Sequence, residues 1–257
     1  MIKLIATDID GTLLGLTKTM PERADEIITK LIKKGILFVP ASGRSYSAIE
    51  HLFVPFINDI AIIAENGGVV NYKGKELFTK TLQKDTLIEV MEFLDQDNIF
   101  PIINSRYESY LLPQIVTVRE KVAHYCTAMK DIDRFEDIEK DIVSVSIWVT
   151  DGSVVEVCNE LNKRFNDRAM FVATGKFWID AIPMGVNKGI GLKMLMKKLN
   201  IKSSEVMAFG DYNNDIEMLQ LAETSYVMDH ATDEMKAYGN FVCSPEEIMS
   251  EIEKHAL

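Results

Sequence analysis

Apolar positions along the chain fall into two alternating patterns: short unbroken runs, and longer stretches spaced three and four apart. Lys3 to Ile9 is a run of the first kind and predicts a strand buried on both faces. Ala24, Ile27, Ile28, Leu31 and Ile32 then share one face of a helix. Thr19-Met20-Pro21-Glu22 marks its start and Gly35 its end. Ile36 to Ala41 predicts a second buried strand, Ser45 to Phe53 a second helix and Ile60 to Ala64 a third strand. Strands alternating with helices imply right-handed crossovers and a parallel sheet.

The pattern changes after Ala64. Gly67-Gly68 and Lys73-Gly74 mark turns between short strands. Next come a helix over Lys84 to Asp97 and strands over Ile99 to Asn104 and Ser109 to Leu112. A helical stretch around Gln114 to Met129 precedes a strand over Ile142 to Thr150. A helix over Ser153 to Phe165 and strands over Ala169 to Ala173 and Phe177 to Ile182 complete a mixed α+β block with an antiparallel sheet. The first pattern returns with helix Gly189 to Leu199, strand Val206 to Phe209, helix Asp215 to Leu221 and strand Ser225 to Met228. The expected organisation is therefore a discontinuous core, residues 1–82 and 184–257, interrupted by an inserted domain, residues 83–183.

Composition narrows the field. The 257 residues suit one large domain or two modest ones, and the 47% hydrophobic and 26% charged fractions are those of a globular protein. A net charge of −11 argues against a general nucleic-acid binder. The insert is itself acidic, with 11 basic and 18 acidic residues from Leu82 to Pro183, so any anion there must be met by individual cations. No run is long enough to span a membrane, and the N-terminal run, broken at Asp8, is no signal peptide. Cys126, Cys158 and Cys243 form no metal or redox pair and read as reduced, mostly buried thiols, giving a cytoplasmic expectation.

Candidate chemistry gathers at strand ends, where open parallel sheets bind ligands. The first strand ends in Asp8-Ile9-Asp10-Gly11-Thr12-Leu13. An Asp-Gly turn explains one aspartate but not both, whereas a hard divalent cation explains the pair. The second strand ends in Ser42-Gly43-Arg44. Lys188 opens the helix after the insert, either as an incidental surface charge or as the counter-charge to an anion. Val206 to Phe209 runs into Gly210-Asp211-Tyr212-Asn213-Asn214-Asp215, where Asp215 has the alternative of a helix N-cap. Together these groups suit a phosphoryl group bridged to Mg²⁺.

With these motifs the chain resembles the haloacid dehalogenase-like (HAD) superfamily, and within it the Cof-like, subclass IIB phosphatases. Asp8-Ile9-Asp10-Gly11-Thr12-Leu13-Leu14 matches the DxDGTL motif, Ser42-Gly43-Arg44 the second, Ile182 to Gly189 the segment of the third-motif lysine, and Phe209-Gly210-Asp211 with Asn214-Asp215 the GDxxND motif. The resemblance implies an α/β fold, a Rossmann-like parallel-sheet core with an inserted α+β cap of the C2B type. It implies Asp8 as nucleophile and Asp10 as general acid/base. Ser42, Gly43, Arg44, Lys188 and Asn214 would hold phosphate or substrate. Asp8, the Asp10 carbonyl and Asp211 would hold Mg²⁺, with Asp215 in support. The implied partner is a small phosphorylated metabolite, with sugar phosphates expected, and a monomer or weak homodimer.

The chain departs from the family pattern at Tyr212, Asp229 and His230, either by drift or by tuning of a loop near the phosphate. In the insert, Arg106 and Lys176 each lie in a turn between strands, either as solvated charges or as contacts to the substrate beyond its phosphate. Two alternatives to a phosphatase are a phosphomutase with the same cap type and a non-catalytic sugar-phosphate sensor. The sensor is disfavoured because every expected carboxylate is present.

Overall fold

Leu4 to Thr7 is fully buried, and the strand it forms sits inside the sheet rather than at its edge. The computed structural model describes residues 1–123 and 128–257. Its first stretch runs β1 (Leu4–Thr7), α1 (Ala24–Lys33), β2 (Leu37–Pro40), α2 (Tyr46–Leu52), β3 (Ala61–Ala64), β4 (Val69–Tyr72) and β5 (Lys75–Thr79). The middle stretch holds α3 (Lys84–Phe93), β6 (Ile99–Ser105), β7 (Ser109–Leu111), α4 (Arg119–Val122) and β8 (Met129–Asp131). It continues with β9 (Ile142–Val149), α5 (Val154–Phe165), β10 (Ala169–Ala173) and β11 (Trp178–Pro183). The last stretch is α6 (Lys188–Leu199), β12 (Val206–Gly210), α7 (Ile216–Leu221), β13 (Thr224–Met228), α8 (Asp233–Lys236), β14 (Phe241–Cys243) and α9 (Ile248–Ala256).

Five strands form a parallel sheet in the order β14-β13-β12-β1-β2. Successive side chains of a strand point to opposite faces. Accordingly Ile5, Phe38, Met207 and Phe209 pack against α1 and α9, while Leu4, Ala6, Val39 and Ala208 pack against α6 and α7. The chain leaves β1 for β2 on one side and returns through β12 on the other. This is the switch point at which such sheets open a crevice above their strand ends.

Two smaller features modify the expected layout. β3 joins the parallel sheet only through a bridge from Ile63 to Ala41, and otherwise pairs antiparallel with β4 in a three-stranded sheet β3-β4-β5. Lys73 and Gly74 both take positive φ, 52° and 71°, which fits the two-residue turn joining β4 to β5. The middle stretch is a six-stranded sheet, β10-β11-β9-β6-β7-β8. One of its faces, including Ile103, Val145, Ile147 and Ile179, packs on α3 and α5.

Several expected boundaries shift. α1 begins at Ala24, because a turn with Ala24 N bonded to Pro21 O precedes it and Thr19 caps nothing. The helical stretch expected to Met129 is corrected: Met129 opens β8, which pairs parallel with β7 in an otherwise antiparallel sheet. Part of that stretch, and Cys126 with it, lies outside the described residues. Cys158 and Cys243 are free and buried, and burial raises both thiols. Among the described residues, no helix is long and apolar enough to cross a membrane.

Candidate active site

Asp8 follows β1 directly, and its amide still donates to Phe209 O at 2.9 Å, so the carboxylate is fixed by the sheet. The chain then turns away, with Leu13 N donating to Asp8 O at 3.2 Å and Leu14 N to Ile9 O at 2.9 Å. Gly11 makes this possible. Its φ is 83°, and a Cβ there would run into the Asp211 carboxylate. The next residue, Thr12, donates its hydroxyl to Asp211 Oδ1 at 2.9 Å, tying the β1 turn to the end of β12.

Lys188 is no surface charge. Its side chain is 1% exposed, and Nζ donates to Asp8 Oδ1 and to Asp215 Oδ1, each at 2.6 Å. The helix terminus it opens is capped by Asn187, whose side chain accepts from Ile190 N. Asp215 does more than precede α7. Its Oδ2 accepts from Asp211 N at 3.0 Å and Tyr212 N at 3.1 Å, which shapes the loop. Burial works to lower the Lys188 pKa, but the attraction of Asp215 and Asp8 holds it above the usual lysine value. Burial pushes the Asp8 carboxyl well up, Lys188 opposes this, and Asp215 and Asp211 add repulsion. Asp211 is raised by its own burial and by Asp215.

One oxygen each of Asp8, Asp211 and Asp215 lie within 4.8 Å of one another. Asp8 Oδ2 is buried without a hydrogen-bond partner among the described residues. A crowded set of carboxylates with an unsatisfied buried oxygen fits a hard divalent cation, which takes oxygen ligands. The Asp10 carboxylate is outside this group. Arg44 grips it through two bonds, Nε to Oδ2 at 2.6 Å and Nη2 to Oδ1 at 2.5 Å. The planar guanidinium matches the Asp10 carboxylate in a fork while still lining the cavity expected to take the phosphate.

These groups open into a cavity of about 410 Å³ between the parallel sheet and the six-stranded sheet. Asp8, Asp10, Ser42, Gly43, Arg44, Asn214, Lys176 and Tyr212 all line it. Asn214 Nδ2 donates to Asn66 Oδ1 at 2.9 Å, and Asn66 Nδ2 donates to Asp180 Oδ2 at 3.1 Å. Lys176 is exposed at the rim, with Nζ 5.3 Å from the Phe177 ring centroid. His230 Nε2 lies 3.4 Å from Asp211 Oδ2 and Nδ1 3.7 Å from Asp229 Oδ1, so the departing loop touches the carboxylate group.

Arg106 does not line the cavity. Its guanidinium donates to Thr79 Oγ1 at 2.6 Å and to Asn71 Oδ1, pairs with Glu76 at 3.0 Å, and lies against the rings of Tyr46 and Tyr107. Its expected contact with substrate is not among the contacts it makes here. β4 and β5 offer it three oxygen partners, so it ties the six-stranded sheet to the core's small sheet.

Most of the far wall was not read from sequence. Asn104, Ser146, Trp148, Thr174, Phe177, Trp178 and Asp180 all line the cavity. A signal existed in β9, where Ser144, Ser146 and Trp148 alternate with Val143, Val145 and Ile147. That alternation marks a face that is not wholly core.

A model of haloacid dehalogenase-like hydrolases matches residues 5–248. The 5-amino-6-(5-phospho-D-ribitylamino)uracil phosphatase YbjI of Escherichia coli is 36% identical over 233 residues, covering 90% of this chain and 86% of its own. The HMP-PP phosphatase of Klebsiella pneumoniae is 25% identical, covering 92% and 88%. The crystal structure of SMU.1108c from Streptococcus mutans superposes with a TM-score of 0.91 at 25% identity, over 99% of both chains. A match spanning nearly the whole chain, on a fold whose strand ends carry the motifs, makes this protein a haloacid dehalogenase-like hydrolase of the Cof-like phosphatase group.

Proposed function

We propose that this hydrolase is a Mg²⁺-dependent phosphatase of small phosphomonoesters, with the phosphate carried on a sugar or sugar alcohol. The observation that carries the reading is Asp8: a buried carboxylate at the sheet's switch point, one oxygen held by Lys188 and the other without a hydrogen-bond partner among the described residues. Asp8, Asp211 and Asp215 are the residues proposed to hold the cation, together with the Asp10 carbonyl. When bound, it would neutralise charge on the phosphoryl oxygens.

The chain's own groups divide the rest of the work. The Asp8 carboxylate attacks phosphorus, forming an acyl phosphate as the bond from phosphorus to the leaving oxygen breaks. Asp10, at the edge of the cavity, gives its proton to that leaving oxygen. It then takes a proton from the water that attacks phosphorus and frees Asp8. Lys188 offsets the negative charge beside Asp8. Ser42, the Gly43 amide and Asn214 are proposed to hold the phosphoryl oxygens, and residues 83–183 to act as the cap that selects the leaving group.

The test is phosphate release by the purified protein from a phosphomonoester panel, with Mg²⁺ and with EDTA, and no bisphosphate activator. Activity should require the metal, and Asp8→Asn should lower kcat by more than about a hundredfold, ~2.7 kcal/mol in barrier. Retention of most activity by Asp8→Asn would remove the nucleophile from the scheme. Turnover that needs a bisphosphate would point to a mutase instead.

A further inference from the structure

The turn between β3 and β4 has a backbone that its residue types do not favour. Glu65, Asn66 and Gly67 take φ of 50°, 50° and 96° in succession. Glycine enters this left-handed region freely, a glutamate or an asparagine only under constraint. Such conformations persist where surrounding contacts over-determine them, and they gather at functional sites. Here the contacts come from the site itself. Glu65 N donates to Arg44 O and Asn66 N to Ser42 O, each at 3.0 Å, so the turn holds both ends of the Ser42-Gly43-Arg44 segment. A Cβ on Gly67 would fall 2.2 Å from Asn187 O, next to Lys188.

The Asn66 side chain is 2% exposed and lies where the strand ends meet β11. A Cβ on Gly43 would be 3.0 Å from Asn66 Nδ2, so the amide rests against the glycine whose N–H is proposed for the phosphate. Nδ2 donates to Asp180 Oδ2 at 3.1 Å, and Oδ1 accepts from Asn214 Nδ2 at 2.9 Å. One end of an amide only donates and the other only accepts. Asp180 is also hydrogen-bonded to Ser146 and Thr174, and burial raises its carboxyl to about 6, so at pH 8 it is an ionised acceptor. It therefore dictates that Asn66 Nδ2 faces β11 and Oδ1 faces the core. Oδ1 in turn draws the Asn214 NH₂, whose second hydrogen is left for a phosphoryl oxygen. The reverse orientation would put the Asn214 carbonyl oxygen where that nitrogen now stands, acceptor against acceptor.

We propose that Asn66 is a positioning residue for phosphoryl binding. It turns the Asn214 amide toward the phosphoryl group, and it does so in answer to the seating of β11, whose Asp180 fixes which end of the Asn66 amide faces the core. The inference rests on the phosphatase reading above, in which Asn214 and the Gly43 amide hold the phosphoryl oxygens.

The experiment titrates inorganic phosphate calorimetrically, with Mg²⁺ at pH 8, into the wild type, Asn66→Gly, Asn214→Ala, Asp180→Ala and the paired double variants. Glycine at 66 suits the left-handed backbone, so only the amide is lost. Asn66→Gly should weaken phosphate binding by about five- to tenfold, the scale of one hydrogen bond. In the Asn214→Ala background the same change should cost less than about twofold. Asp180→Ala should weaken binding at least about threefold more in the wild type than beside Asn66→Gly. Direct repulsion between Asp180 and phosphate acts in both backgrounds and cancels in the cycle. Additive losses in either cycle overturn the proposal, as does unchanged affinity in Asn66→Gly. Should Asn66→Gly fail to fold, the cycle of Asp180→Ala with Asn214→Ala decides, since those two residues share Asn66 as partner. Should Asp180→Ala fail to fold, Asp180→Asn takes its place, because an amide there keeps the shape but no longer dictates the orientation of Asn66.

Turnover gives a second readout, one that a purely structural role would not produce. Asn214 is proposed to meet the phosphoryl group that all substrates share. Asn66→Gly should therefore lower kcat/KM for p-nitrophenyl phosphate and for glucose 6-phosphate by the same factor, within about twofold. A loss on one substrate alone overturns the proposal. If the wild type releases phosphate from no compound of the panel, the phosphatase reading has failed and the titrations decide. A wild type that binds no phosphate overturns the positioning role as well.

Discussion

Glu65 offers a sharp test of the seam between the two sheets. It sits 1% exposed between β3 and β4, and Ser144 of β9 donates its hydroxyl to Oε2. Oε1 is buried with no hydrogen-bond partner among the described residues, and no cation faces it in a hydrogen bond or ion pair there. Burial therefore pushes the carboxyl from 4.5 up to about 8, with Ser144 opposing and Asp180 adding repulsion. Between these values the folded chain holds a proton that the unfolded chain has lost. The stability this group contributes is full below 4.5 and disappears as pH rises through about 8. From pH 5 to pH 7 the loss is about 2–3 kcal/mol at roughly 1.4 kcal/mol per unit.

Glu65→Gln keeps the shape of the protonated acid and removes the titration. A poorly bonded amide would shift its stability by a constant, so the informative quantity is the wild-type-minus-variant difference as a function of pH. Asp180, raised by burial to about 6, adds its own slope, but to both proteins, and cancels to first order. Urea unfolding at pH 5, 6 and 7, followed by tryptophan fluorescence, reads this directly, because the chain's two tryptophans both lie in the six-stranded sheet beside the seam. The difference should move by about 2–3 kcal/mol against the wild type between pH 5 and 7. Curves that stay parallel within about 0.5 kcal/mol would refute a neutral buried Glu65.

Three further outcomes are expected. Asp211→Ala should weaken Mg²⁺ binding by more than about tenfold in a calorimetric titration, and Thr12→Val, which removes only the hydroxyl on Asp211, by about tenfold; unchanged binding in Asp211→Ala would exclude it as a ligand. Lys188→Met leaves the Asp8 and Asp215 carboxylates buried without their cation and should cost about 3–5 kcal/mol in metal-free protein; a loss under about 1 kcal/mol by denaturant titration would show that other groups neutralise them. Arg106→Ala should lower stability by about 2 kcal/mol through its lost charge-assisted bonds and leave the ratio of kcat/KM between p-nitrophenyl phosphate and a sugar phosphate unchanged. A substrate-selective rise in KM at unchanged stability would put Arg106 back in contact with substrate.

What could be read from the sequence, and what could not, follows from how far each feature depends on distant residues. Asp8, Ser42 and Asp211 each sit where a buried apolar run stops, so the run itself locates them at the strand end. β1, β2 and β12 are then adjacent in a parallel sheet, as the alternation of strands and helices implies. Lys188 needed one more step. Its position at a helix start was legible, but its burial between two carboxylates was not, because a lysine side chain is long and its direction is set by partners far along the chain. Arg106 is a similar case: the turn was legible, while the oxygens that bind the guanidinium lie on Asn71, Glu76 and Thr79.

The aromatic end of the cavity failed for a different reason. Period-two alternation in β9 tells which residues share a face, yet not what stands opposite them. Trp148 meets Trp178, and Ser146 meets Asp180, only in the antiparallel register that β9 and β11 adopt. A slip of one residue would turn the indoles toward α3 and α5 and bury them in the wrong layer. The register is held by the opposite face, where Val145, Ile147 and Val149 fill one apolar layer with Ile179 and Ala181. The packing on the hidden face thus decides which side chains reach the cavity. Asn66 carries the consequence inward, since it binds Asp180 from the insert with its amide nitrogen and Asn214 from the core with its oxygen. A change that moved β11 would be felt at Asn214 through that one side chain, so the part of the site proposed to select the leaving group and the part proposed to hold phosphate are mechanically joined.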